Sequence, residues 1–140
     1  VMSIQAIKAV EIGNGIKNAY NLGSSVHDEI LFQKGYIRKT NNAGGIEGGM
    51  SNGENIVVRA YMKPIPTLKK GLNSIDVKTK LPHISHFERS DVCAVPAASI
   101  VAKSIIAYEL LNAYMEKFGS DTLNELKKRV YEYKIYLKNK

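Results

Sequence analysis

Apolar and polar residues alternate along "IKAVEIG" (7–13), the period-two pattern of a half-buried strand, and Gly13 and Gly15 close it. "GIKNAYNLG" (15–23) reads as one or two helical turns ended by Gly23. "DEILFQKGYIRKT" (28–40) reads as two short strands joined at Lys34-Gly35. "NIVVRAYMKP" (55–64) is the strongest strand signal, rich in β-branched residues and stopped by Pro64. "NSIDVKTK" (73–80) alternates again up to Pro82, and "SHFERSDVCAVP" (85–96) is mixed and runs to Pro96. Beyond Pro96 the period changes. Residues 97–118 place apolar groups at 101, 105, 108, 111, 115 and 118, one face of a helix. Its first half is apolar nearly all round and should be buried. Gly119 is placed to cap that helix, and Thr122 with Glu125 has capping-box spacing for the next. The second helix carries its apolar stripe at 123, 126, 130, 133 and 137. Strands first and two helices last predict an α+β fold in one domain, 1–140, with helices laid on a sheet.

Composition changes this picture little. Hydrophobic residues are 44% and charged residues 24%, ordinary for a globular protein. No apolar run approaches a membrane span and no signal-peptide pattern opens the chain. Cys93 is the one cysteine, so no internal disulfide can form, and a reducing cytoplasm is the expected compartment. The first residues begin inside an alternating pattern with no lead-in, as in a chain that starts partway into a larger protein. The charge is different in kind. A net charge of +7, from 20 Lys and Arg against 13 Asp and Glu, favours anionic partners without choosing among them.

"KTNNAGGIEGGMSNGE" (39–54) holds five glycines and three asparagines and almost nothing that could fill a core. Such backbone can approach an anion or a flat ring edge closely; it can equally be a flexible surface loop. In "KPIPT" (63–67) two prolines fix Lys63 and Thr67 in place, which suits a phosphate, or simply stiffens a strand exit. Glu88, Arg89 and Asp91 fall within four residues, and if extended Arg89 and Asp91 share a side. They could receive an oxyanion or form a surface ion pair. His83, His86 and Cys93 lack a convincing fourth ligand for zinc. "HDE" (27–29) reads as a loop or strand-edge cluster, and Cys93, in an apolar stretch, as a buried thiol. Lys127, Lys128, Arg129, Lys134 and Lys138 lie mostly off the apolar stripe; with no interleaved aromatic platform they read as a solvated face rather than a nucleic-acid footprint.

In order along the chain, "MSIQAIKAVEIGNG", "GSSVHDEI", "RKTNNAGGIEGGMSNGENIVVR", "KPIPT" and "ERSDVCAVPAASIVA" resemble the C-terminal part of chorismate synthase, from Met2 to about Gly119. The resemblance implies a β-α-β sandwich of mixed or antiparallel strands followed by the two helices. It implies a cytoplasmic homotetramer of the shikimate pathway, serving aromatic amino-acid biosynthesis, with no nucleic acid and no membrane. The implied activity is that of a carbon–oxygen lyase: elimination of phosphate from 5-enolpyruvylshikimate 3-phosphate to give chorismate, with reduced FMN (FMNH2) required. Carried over residue by residue, Gln5 and Ala6 contact flavin, Gly48 lies against FMN, and Lys63, Pro64, Ile65, Pro66 and Thr67 line its site. Arg89 stands near flavin and substrate, and Asp91 near flavin N5 in a catalytic, proton-handling place. Three positions depart from the family pattern: Gln5 where proline is common, Ala9 where glycine is common, and Lys103 where an acid is expected. The family's catalytic histidines and its arginine cluster have no counterpart here, so a full active site is not expected in these residues. Two other functions fit the same residues: a flavin- or anion-binding module without catalysis, and a basic helical protein for RNA.

Overall fold

The structure, a computed structural model, describes residues 1–139. Its organising element is a long-range antiparallel ribbon: β1 (Ile7–Ile12) pairs with β6 (Val58–Met62), from Ile7↔Met62 to Ile12↔Val58. The register slips between Ile7 and Ala9, a bulge at the first turn of β1. Three short hairpins complete the strands: β2 (Ile30–Phe32) with β3 (Tyr36–Arg38), β4 (Ile46–Glu47) with β5 (Met50–Ser51), and β7 (Asn73–Ile75) with β8 (Pro82–Ile84). Helices α1 (Gly15–Asn18) and α2 (Gly23–Val26) are single turns. The long helix α3 (Val95–Phe118) and then α4 (Leu123–Lys138) end the fold. The class is α+β, with antiparallel strands and two C-terminal helices.

The helix ends follow their sequence signals. Pro96 sits in the first turn of α3, where its missing N–H costs nothing. Gly119 takes φ 53° and donates its N–H to Met115 O at 2.8 Å. Thr122 accepts from Glu125 N at 3.3 Å, one half of a capping box. Arg129 of α4 reaches back to the carbonyls of Phe118 and Gly119, satisfying the exposed end of α3.

Four local expectations change. Gly23 opens α2 instead of closing α1, because the chain turns extended at Leu22 between them. Pro82 begins β8 instead of ending a strand. The Asp76 side chain accepts from the N–H groups of Lys78 and Thr79, which turns the chain after Ile75 and makes a hairpin. Cys93 is exposed, since residues 85–94 run irregularly with no element packed over them. The apolar first half of α3 is also not buried: Ile100 is 65% exposed and no residue of the helix is buried.

That last correction is general. Among the described residues the buried hydrophobic side chains are Ile7 and Leu126. The chain exposes 11895 Å², whereas a compact monomer of this length exposes about 7,200 Å². Helix α3 meets β1 and β6 across an open groove lined by Ile7, Val58, Met62, Ala98, Ala102 and Ile106, leaving a cavity of about 340 Å³. Helix amphipathicity therefore points into space that these residues do not fill. The isolated 140-residue chain is expected to melt gradually by circular dichroism and to bind a hydrophobic dye; a sharp, monomeric, cooperative transition would contradict this.

Candidate functional site

The glycine run folds back onto the far end of the β1–β6 ribbon. Gly13 N donates to Val57 O at 2.8 Å, Val57 N to Gly44 O at 3.0 Å, and Asn14 N to Asn42 O at 2.9 Å. Gly13 and Gly44 are buried against one another, and a Cβ on either would strike the other's backbone. Their bareness is thus a requirement of backbone packing. Gly48 and Gly49 are different. They form the two-residue turn between β4 and β5, with φ 57° and 78°, the positive pair that a type I′ hairpin needs. A Cβ at either would meet nothing within 4 Å. Their open side faces solvent, available to a flat or anionic ligand.

Two side-chain knots hold this loop. Asp28 accepts from Thr40 Oγ1 at 2.5 Å, Asn42 N at 2.8 Å and Ala43 N at 2.9 Å. Burial would raise the Asp28 carboxyl, but bonds from Thr40, Ala43 and Asn42, with Arg38 nearby, outweigh it and hold it below its usual value. Arg38 pairs with Glu47 at 2.5 Å, and Asn52 donates to the same carboxylate at 3.0 Å. Hydrogen bonds from Asn52 and Arg38 keep Glu47 below the ordinary carboxylate range. Along the ribbon Tyr61 donates to Glu11 at 2.5 Å, and that bond, with one from Ile16 N, lowers Glu11 while Glu11 raises Tyr61.

At the opposite end of the ribbon Ala6 holds φ 65°, an uncommon conformation for a residue with a Cβ. Lys63 N donates to Ala6 O at 2.7 Å. This bond sets Ala6, next to Gln5, beside Lys63, the first residue of the Lys63–Thr67 segment, although the two segments are far apart in the chain. Gln5 and Lys63 are exposed, Thr67 is half-buried, and none of their side chains has a partner among the described residues. Gly48 is not at this contact: β1 alone separates the two ends by about 17 Å at strand rise. Arg89 and Asp91 lie in the irregular 85–94 segment before α3, exposed; no ion pair joins them, and the backbone carbonyl of Asp91, not its carboxylate, accepts from Ser90 Oγ. Within this chain the structure brings Ala6 to Lys63, and among the described residues no hydrogen bond joins either of them to Gly48, Arg89 or Asp91.

Polar residues therefore fall into two groups. Asp28, Arg38, Glu47, Glu11 and Arg59 are spent on the chain's own backbone and on each other. Lys63, Arg89 and Asp91 have side chains without partners among the described residues. Sequence reading singled out Asp28 in the "HDE" cluster but missed its partners and the rest of the first group. Its one signal is the Asn-rich run itself, since such side chains bond backbone, but the partners of this group lie as far as 50 residues away. No group of three metal-binding side chains occurs among the described residues, and no helix there is long and apolar enough to cross a membrane.

A family model described as chorismate synthase matches residues 1–115. A chorismate synthase of Geotalea uraniireducens is 56% identical over 99% of this chain and 37% of its own length. One of Caldicellulosiruptor bescii is 58% identical over 94% of this chain and 36% of its own. A crystal structure of chorismate synthase superposes with a TM-score of 0.77 at 45% identity, covering 99% of this chain and 34% of that one. The chain spans little more than a third of the length of the curated relatives it matches.

Replacing Asp28 by Ala is expected to speed amide exchange at Asn42 and Ala43, by an amount corresponding to about 1–3 kcal/mol of lost local stability. In the unaltered chain a lowered Asp28 stabilises above its unfolded value of about 3.9. That hold persists at neutral pH and is lost as pH falls through the lower folded value. Loosening on raising the pH from 5 to 8 would contradict it.

Proposed function

The chain belongs to the chorismate synthase family, and on that premise we propose that it is the C-terminal portion of a larger FMN-dependent carbon–oxygen lyase. The reaction removes phosphate and a ring hydrogen from 5-enolpyruvylshikimate 3-phosphate: a C–O and a C–H bond break, a C=C bond forms, and chorismate leaves. The observation that carries this reading is the Lys63 N–Ala6 O bond, which unites two segments that the family resemblance assigns independently to the flavin.

The residues present suit such a ligand. Lys63 and Thr67, braced by Pro64 and Pro66, present an ammonium and a hydroxyl to a phosphate without having to break a side-chain contact with any of the described residues. The open Gly48–Gly49 tip lets backbone lie flat against a ring. Arg89, with no carboxylate partner among the described residues, offers a planar fork to an oxyanion. Asp91 supplies a carboxylate that can hold or pass a proton. When bound, reduced FMN supplies electron density as the phosphate departs. A +7 chain favours a ligand of several negative charges. The large uncovered surface supports assembly with the remaining polypeptide and with other copies, as a cytoplasmic homotetramer.

In the longer chain Lys63→Met should weaken FMN about tenfold or more, the loss of a charged phosphate contact. Gly48→Asn, which keeps the turn, should also weaken it. Asp91→Asn should lower kcat by about 10²- to 10⁴-fold with FMN affinity kept. Flavin fluorescence titration and chorismate formation read these outcomes. The 140-residue chain alone is expected to bind FMN weakly and make no chorismate. Unchanged FMN affinity in both Lys63→Met and Gly48→Asn would overturn the reading.

A further inference from the structure

The Gly48–Gly49 turn stands on strands of two residues each, Ile46–Glu47 and Met50–Ser51. A ladder that short cannot fix its own direction. What orients it is a grip from a different hairpin. Arg38, the last residue of β3, donates twice to one oxygen of Glu47, from Nε at 3.1 Å and from Nη2 at 2.5 Å. Asn52 Nδ2 donates to that same oxygen at 3.0 Å. Asn52 is itself pinned, its N–H donating to Gly45 O at 3.0 Å and its side-chain oxygen accepting from Glu54 N at 3.0 Å. Glu47 directly precedes Gly48, so the residue entering the turn is held from the β2–β3 hairpin and from the far side of its own.

We propose that Arg38 and Glu47, with Asn52 as their brace, are positioning residues that set how the Gly48–Gly49 tip meets the flavin. The proposal rests on the reading that places Gly48 against the cofactor. The two side chains are 21% and 37% exposed. The pair is half-buried and ties one hairpin to another, so its effect is read in the geometry of the tip. Glu47 stays ionised at neutral pH because Asn52 and Arg38 bond its charged form. Its charge also neutralises Arg38, which would otherwise compete with the free Arg89 and Lys63 for the anionic ligand.

The test uses the longer chain. FMN affinity, the absorption spectrum of bound flavin at saturation, kcat and substrate KM are measured for Arg38→Met, Glu47→Gln, their double variant, Lys63→Met and Gly48→Asn. Each single clamp variant should weaken FMN or lower kcat about ten- to hundredfold, as small misplacements do. Each should shift the bound-flavin spectrum, and substrate KM should stay within about twofold. The double variant should be no worse than the poorer single, since both remove one interaction. If Lys63→Met weakens FMN while the clamp variants keep affinity and spectrum, the clamp is wrong and the site reading stands. A lowered melting temperature with an unchanged spectrum at saturation likewise refutes the clamp, showing a structural role alone. If Lys63→Met and Gly48→Asn both leave FMN binding intact, the site reading fails, and the clamp falls with it.

Discussion

Five residue pairs, from Ile7↔Met62 to Ile12↔Val58, tie the start of the chain to a strand about 50 positions later. Loop closure over that span is costly, and what offsets it is backbone pairing plus the burial of Ile7. Everything between is constrained by the two ends of that ribbon. At one end Gly13 and Gly44 must pass backbone against backbone; at the other, Lys63 must donate to Ala6. The candidate binding patch and the glycine loop are both consequences of one register. A slip by a single residue would turn every side chain of β1 to the wrong face and part Ala6 from Lys63.

The polar residues divide along the same line. Those that stitch the loop are asparagines and acids satisfied by backbone N–H groups or by a neighbouring arginine. Lys63, Arg89 and Asp91 have no side-chain partner among the described residues. The division has a physical basis, since a group that must bind an anion cannot also serve as internal scaffold without paying to break that contact. The glycines divide too. Gly13, Gly44 and Gly45 serve close packing, while Gly48 and Gly49 serve a turn whose outer side is open.

The same ribbon leaves much uncovered. With one strand pair and one long helix, the apolar face of α3 has only a shallow floor beneath it. Arg89 and Asp91, in the irregular segment just before that helix, share its exposure.

Local rules carried far in this sequence. The β1 alternation, the Lys34-Gly35 hairpin, the Gly119 stop and the Thr122 cap all depend on residues within a few positions of one another, and all took the expected form. The family blocks likewise identified the chain, because motif spacing is written in the sequence itself. What sequence could not carry was set by distance. Asp28 beneath Asn42, Arg38 against Glu47 and Ala6 against Lys63 are contacts between segments whose approach depends on the whole path of the chain. Burial failed for the same reason. Periodicity tells which face of α3 is apolar, but only the tertiary structure decides whether anything lies against it.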